Sequence, residues 1–304
     1  MANPMPIEAK AASRAGTASL GDYAQLTKPR IILLLVITAY CAMVVAAHGL
    51  PPFLLSLYTL LGLALSAGGA HAVNMWYDRD IDAVMARTND RPVPQGKIPA
   101  VRSLYFGISL MGVSLVLLLA TVNLLTALLA LGGFLYYVLI YTMWLKRSTP
   151  QNIVIGGGAG AFPPLIGWAA VTGQIGLAAV LMFLIIFLWT PPHFWALALY
   201  RQDDYRRAGV PMMPVVRGER STKVQMISYA ALLLIASAAL YFTGVVGAAY
   251  LGIALALSIG FLVMTGLLLR EHAPETTFAR RTFGYSLLYL TVLFAAMVLN
   301  VRTF

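Results

Sequence analysis

Long apolar runs, each ended by a short polar connection, set the pattern of this chain. Nine of them lie near 31–48, 53–74, 103–121, 124–145, 152–172, 177–199, 226–245, 248–270 and 282–300. Each approaches the roughly 20 residues that carry a helix across a bilayer, and a helix satisfies its own backbone polar groups in lipid. The alternation of apolar and polar residues that marks a membrane β-barrel is absent. The pattern predicts an all-α membrane protein of nine transmembrane helices. Composition agrees, because 60% hydrophobic against 11% charged residues leaves too little polarity to cover a water-soluble domain of this size.

Charge orients the bundle. Alternate connections, in residues 1–30, 75–102, 145–151, 200–225 and 270–281, hold 4, 5, 2, 6 and 3 Lys or Arg, while the intervening ones hold none. The positive-inside rule puts the N-terminus in the cytoplasm and the C-terminus outside, which requires an odd number of spans. The net charge of +10 therefore reports topology and gives no reason to invoke nucleic acid. All eleven Asp and Glu also lie on the cytoplasmic side, which that rule does not require. The single cysteine, Cys41, falls in the first run and excludes a disulfide framework. Residues 1–30 read as neither a secretion signal nor a transit peptide. A cytoplasmic tail over 1–27, an intramembrane domain over 28–304 and a bacterial inner membrane are expected.

The two longest polar connections are four spans apart and resemble each other. "DRDIDAVMARTNDRPVPQG" and "DDYRRAGVPMMPVVRG" both run from acids through bases to prolines and a glycine. Two four-helix pseudo-repeats plus a ninth helix around a central cavity would place these caps face to face; two unrelated loops are the alternative. Pro163-Pro164 and Pro191-Pro192 should bend spans five and six and free backbone carbonyls. Gly156, Gly157, Gly158 and Gly160 admit the close approach of a helix or of a flat ligand.

On a helix, His71, Asn74, Asp78 and Asp82 share one stripe at the polar end of span two, with Asp80 pointing elsewhere. His193, Leu197, Tyr200 and Asp204 form a second stripe, with Asp203 beside it. Carboxylates on both could hold a divalent metal, Mg²⁺ or Mn²⁺, completed by substrate phosphates. A calcium loop at Asp78, Asp80 and Asp82 fails, because Ala83 stands where its glycine is needed and Asn89 where its glutamate is needed. A solvated loop of ion pairs is the plainer alternative. Arg87, Arg91, Lys97, Lys146 and Arg147 lie on the same side, as a diphosphate whose ester bond is breaking would need. The chemistry suggested is ionisation of an allylic diphosphate, with its lipid tail among the helices.

At these residues the chain resembles the UbiA-type intramembrane prenyltransferases. Asn74 to Asp78 with "DRDID" is similar to their first aspartate-rich motif, and "YTMWLKR" to their basic segment after span four. "NMWYDRDIDAVMARTNDRP", "GAFPPLIGWAAVTG", "PPHFWALALYRQDDYRRAGVPMMPVV" and "RGERSTKVQ" are similar to the branch of that family that farnesylates haem. The likeness runs from about Lys28 to the last span. It departs from the wider family in the second motif, where His193 and Tyr200 replace acids. That favours haem over a phenolic acceptor and puts a second metal in doubt.

The resemblance implies farnesyl diphosphate and haem b as substrates, water addition and release of diphosphate. It implies Asn74, Asp78, Asp82 and Asp204 as catalytic, joined by Asp203 as metal ligands, and Arg87, Arg91, Lys146 and Arg147 as diphosphate ligands. His193, His71 and Tyr200 are the expected haem contacts; His193 hydrogen-bonded within a bent helix is the alternative. Phe194, Trp195 and Trp168 are aromatics to flank a porphyrin or to anchor the interface. Expected partners are the lipid bilayer and haem A synthase or terminal-oxidase assembly proteins. The competing readings are a prenyltransferase of the same fold acting on a quinone precursor or chlorophyllide, and an ion-coupled transporter. The transporter would place acids near the bilayer midplane.

Overall fold

A computed structural model describes residues 18–272 and 275–302. Among them are nine helices long and apolar enough to cross a membrane: Pro29–Ala46, Phe53–Tyr77, Ala100–Thr121, Leu124–Ser148, Asn152–Thr172, Leu177–Tyr200, Gly218–Thr243, Ala248–Arg270 and Thr277–Leu299. They are the nine expected runs, numbered below as spans one to nine. Side chains such as Leu57, Ile108, Val116, Leu128 and Ile235 stay exposed on the outside, as a lipid-facing surface requires.

Consecutive spans pack on one another, and span nine returns to span one, so the helices close into a ring. Span one also packs against span five, and span six against span nine. Spans two, three and four pack in sequence, as do six, seven and eight, but only in the first set do the outer two also meet closely. The largest buried cluster, including Trp189, Tyr250, Tyr289 and Phe294, holds the second half together.

Local sequence explains three features that shape the interior. Pro163-Pro164 and Pro191-Pro192 do lie inside the helices of spans five and six. Span five breaks where Asn152–Gly156 gives way to Gly158–Thr172. A carbon added at Gly156 would lie 2.1 Å from the Tyr141 ring, so only glycine admits that ring to the interior. Span four is not uniformly α-helical: Tyr136–Leu145 forms a π-helix.

The described part of the expected tail is not a loose extension. Ser19 and Asp22 form a reciprocal capping box that starts a helix over Leu20–Thr27. Its Leu26 is fully buried with Ala72, Met75, Val93 and Ile98. Lys28, in the left-handed conformation, turns the chain from this helix into span one. The remainder of the 1–27 segment, residues 1–17, lies outside the described residues.

Spans two and three touch backbone to backbone at Gly69 and Gly107. A carbon on Gly107 would meet the Gly69 carbonyl oxygen at 2.6 Å, whereas one on Gly112 meets nothing within 4 Å. Gly107→Ala should therefore destabilise the detergent-solubilised protein by about 1–3 kcal/mol. Gly112→Ala should be neutral or stabilising by up to about 1 kcal/mol through helix propensity. Thermal unfolding of the two variants side by side checks the contrast.

Candidate active site

The polar end of span two is built around one carboxylate. The span ends at Tyr77, yet the backbone carries the stripe onward: Asp78 N donates to Asn74 O (2.9 Å) and Asp82 N to Asp78 O (2.8 Å), leading into a short helix over Arg79–Val84. Asp78 has no exposed surface. Its Oδ2 accepts from Asn74 Nδ2 (2.7 Å) and from Lys146 Nζ, and Arg147 stands 3.5 Å from its Oδ1. Asn74 also donates to Thr142 Oγ1 (3.1 Å) and accepts from Lys28 Nζ (3.0 Å). A charge removed from water needs such partners to be tolerated.

Asp82, also buried, pairs with Arg91 at 2.6 Å, and its backbone oxygen accepts from Thr88. Asp80 points away from this centre, as the helical geometry predicts, and takes a two-pronged contact from Arg147 at 2.7 Å for each bond. That hydrogen bonding holds the Asp80 carboxyl down at about 2.

Lys28 was not anticipated as part of the site. Burial first, and then the neighbouring Arg91, push its ammonium well below the ordinary lysine value, against the pull of Asp82 and Asp78. An incoming anion would favour its charged form. Its place in "KPR" at the head of span one is the only signal in the sequence.

Below this cluster lies a cavity of about 480 Å³, within the range of small-molecule sites. Its walls come from spans one, two, four, five, six and nine, with Arg87 added from the loop after span two. His71, Tyr137, Tyr141, Trp189, His193 and Phe194 all face it. Tyr141 lies within electrostatic reach of Asp78, Arg87 and Arg91, which ties the cavity to the charged cluster.

His193 is held firmly. It stacks between Trp189 (4.2 Å between ring centres) and Phe283 (4.7 Å), and its Nδ1 lies 2.6 Å from Ser286 Oγ. Ser286 spends its own proton on the Phe283 carbonyl at 2.6 Å, so Nδ1 must be the donor to Oγ. Nε2 is left with its lone pair on the cavity side. The hydrogen bond expected as an alternative to haem contact thus coexists with a free nitrogen.

The second stripe does not continue as drawn. Span six ends at Tyr200, Arg201 leaves helical geometry, and Gln202–Arg207 starts a new helix. Tyr200, Asp203 and Asp204 consequently line a separate outer depression with Glu219, Glu275 and Arg280, and not the main cavity. The Tyr200 ring lies under Arg280 at 5.0 Å, so it is a correction to the expected haem contacts. Asp203 is exposed and paired with Arg206, and Asp204 is buried beside Arg207 and Arg201. Tyr205, whose hydroxyl burial pushes up, senses Arg87, Tyr141, Lys146 and Asp204 and so links the two clusters. Among the described residues no three His, Cys, Asp or Glu side chains gather as a metal-binding group. Asp203 in particular is turned outward by the break at Arg201. Of the aromatics, Phe194 faces the cavity, while Trp195 packs fully buried against Tyr229 and Trp168 lies in the core.

The comparisons with known proteins agree with this fold. A family model described as the UbiA prenyltransferase family matches residues 35–298. A Symbiobacterium thermophilum protein named protoheme IX farnesyltransferase is 61% identical over 280 residues, covering 92% of this chain and 94% of its own. A solved digeranylgeranylglyceryl phosphate synthase, 21% identical, covers 92% of this chain and 98% of its own with a TM-score of 0.78. A UbiA homologue from Archaeoglobus fulgidus, solved with DMAPP and Mg²⁺, covers 91% and 99% with a TM-score of 0.68 at 18% identity.

The Asp80–Arg147 contact sets an acid limit. The folded value near 2 lies below the ordinary 3.8, so its contribution is present above 3.8 and disappears as pH falls through about 2. Hydrogen exchange in the Arg79–Val84 helix should quicken over that interval, and Asp80→Asn should flatten the dependence.

Proposed function

The chain belongs to the UbiA prenyltransferase family, and on that premise we propose that it transfers a farnesyl group from farnesyl diphosphate to the 2-vinyl group of haem b. Water adds in the same reaction, and the products are haem O and diphosphate. The name of the S. thermophilum relative supports the acceptor. The observation that carries the reading is a cavity in which His193 offers a free Nε2, opening beneath a cluster of cations around Asp78. An imidazole lone pair suits the iron of haem, whereas a phenolic acceptor has no use for it.

The diphosphate end falls to Lys28, Arg87, Arg91, Lys146 and Arg147, which take up negative charge as the ester bond breaks. Asp78 fits a metal in one respect: its buried Oδ1 has no hydrogen-bond partner. Asn74, Asp78 and Asp82 would hold Mg²⁺, the ion solved with the archaeal homologue, which when bound would help neutralise the leaving diphosphate. Asp204 acts through Tyr205 and Arg207 at the rim. The apolar cavity keeps water from the farnesyl cation until the vinyl group reaches it.

The distribution of Lys and Arg supports a cytoplasmic N-terminus and a cytoplasmic mouth for the site, in a bacterial inner membrane. Product would pass to haem A synthase or to terminal-oxidase assembly proteins. Mass spectrometry of purified protein incubated with farnesyl diphosphate, haem b and Mg²⁺ tests the reading. A haem heavier by one farnesyl unit plus water is expected, and unchanged haem would refute it.

Two variants probe the assignments. Asp78→Asn keeps the bonds to Asn74 and Lys146 while removing the charge, and should lower turnover by about 10²-fold or more with the protein still folded. The alanine variant is a poorer test, because it strands the half-buried Lys146 ammonium without its carboxylate. His193→Ala should shift the Soret band of bound haem; an unchanged spectrum would argue against ligation.

A further inference from the structure

Arg30, in the first turn of span one, makes no hydrogen bond, ion pair or ring contact among the described residues. It is exposed, yet it lines the main cavity. Arg30, Leu34 and Thr38 are four residues apart and all three line that cavity, so Arg30 begins the face that span one turns inward. Among the described residues, Arg87 is the only other charged side chain in the wall.

The two arginines serve different regions. Arg87 lies within electrostatic reach of Tyr141 and Tyr205, together with Arg91, Lys146 and Asp78 of the charged cluster. Lys28 and His71 sense Arg91 in the same way. Arg30 bears on none of these four groups. It stands instead beside a gap. Ile31 of span one and Leu287 of span nine both line the cavity while staying 46% and 42% exposed, so the wall is incomplete between those spans. One turn before Leu287 comes Phe283, the ring stacked on His193.

An unpaired guanidinium at the edge of an apolar cavity suits an occupant that is apolar in body and anionic at one end. Haem b has that form, because its two propionate carboxylates lie on the edge of the ring away from the vinyl groups. We infer that Arg30 binds a haem propionate, holding the acid edge of the porphyrin at the gap between spans one and nine. This rests on the haem-farnesylating reading above. A guanidinium offers a carboxylate two parallel N–H donors, which fixes direction as well as position. With the acid edge held there and the iron at His193, the vinyl edge points across the cavity toward spans two and four, where Tyr137 and Tyr141 stand. Arg30 thus selects which edge of a nearly square ring meets the farnesyl cation. It binds and orients, and no bond breaks or forms on it.

A cation at a membrane boundary also suits a lipid phosphate, and the test separates the two. Purified full-length protein in detergent is titrated with haem b and with its dimethyl ester, in which the propionates carry no charge, and binding is read at the Soret band. The wild-type protein should bind haem b about 10-fold more tightly than the ester. Arg30→Gln should remove that preference by weakening haem b to the level of the ester, and Arg30→Lys should keep part of it. Because Arg30 is exposed and unpaired, both variants should melt with the wild type. A preference missing from the wild type, or persisting in Arg30→Gln, overturns the assignment and leaves Arg30 to a lipid phosphate. A raised KM for farnesyl diphosphate with haem affinity unchanged overturns it too, in favour of the diphosphate. Adduct formation is scored separately by mass. A wild type that shows the Arg30-dependent preference but farnesylates nothing would refute the proposed reaction and still support the propionate contact.

Discussion

A carboxylate with no exposed surface at the end of a membrane helix must be met by cations and donors, and much of this site follows from how Asp78 is met. Lys146 and Arg147 come from the end of span four, Asn74 from the preceding turn, and Lys28, through Asn74, from the head of span one. Three spans are thereby fixed at one point. The surplus of positive charge around one acid leaves this end of the bundle receptive to an anion. Anchoring the helices and attracting an anion are two results of one arrangement.

Hydrophobic length and loop charge made the nine spans readable, because the bilayer imposes one simple demand on every crossing segment. The stripe from His71 to Asp82 was equally readable, since it depends on local helical spacing that survives the end of span two. Reading failed where the chain left the helix. Nothing in "LALYRQDDYRR" marks Arg201 as a break, so Tyr200 and Asp204 looked like continuations of His193. Contacts distant in sequence were invisible for another reason. Lys28 is 46 residues from Asn74, and Ser286 is 93 from His193. No local pattern announces such pairs.

The division of labour within the cavity follows from hydrogen-bond inventory. Ser286 satisfies one nitrogen of His193 and so leaves the other free, which is what the proposed contact with haem iron needs. Aromatic faces on both sides of that ring restrict its rotation. Rigid placement matters for a flat substrate whose one vinyl group must meet a short-lived cation.

The π-helical stretch of span four has an unobvious result. Nine steps of about 100° would set Tyr137 and Lys146 on opposite sides of an ordinary α-helix. Closing hydrogen bonds five residues on unwinds each step, so both side chains swing to the interior. One relaxed coil lets a single rod furnish the aromatic wall of the lipid chamber and the ammonium at its gate.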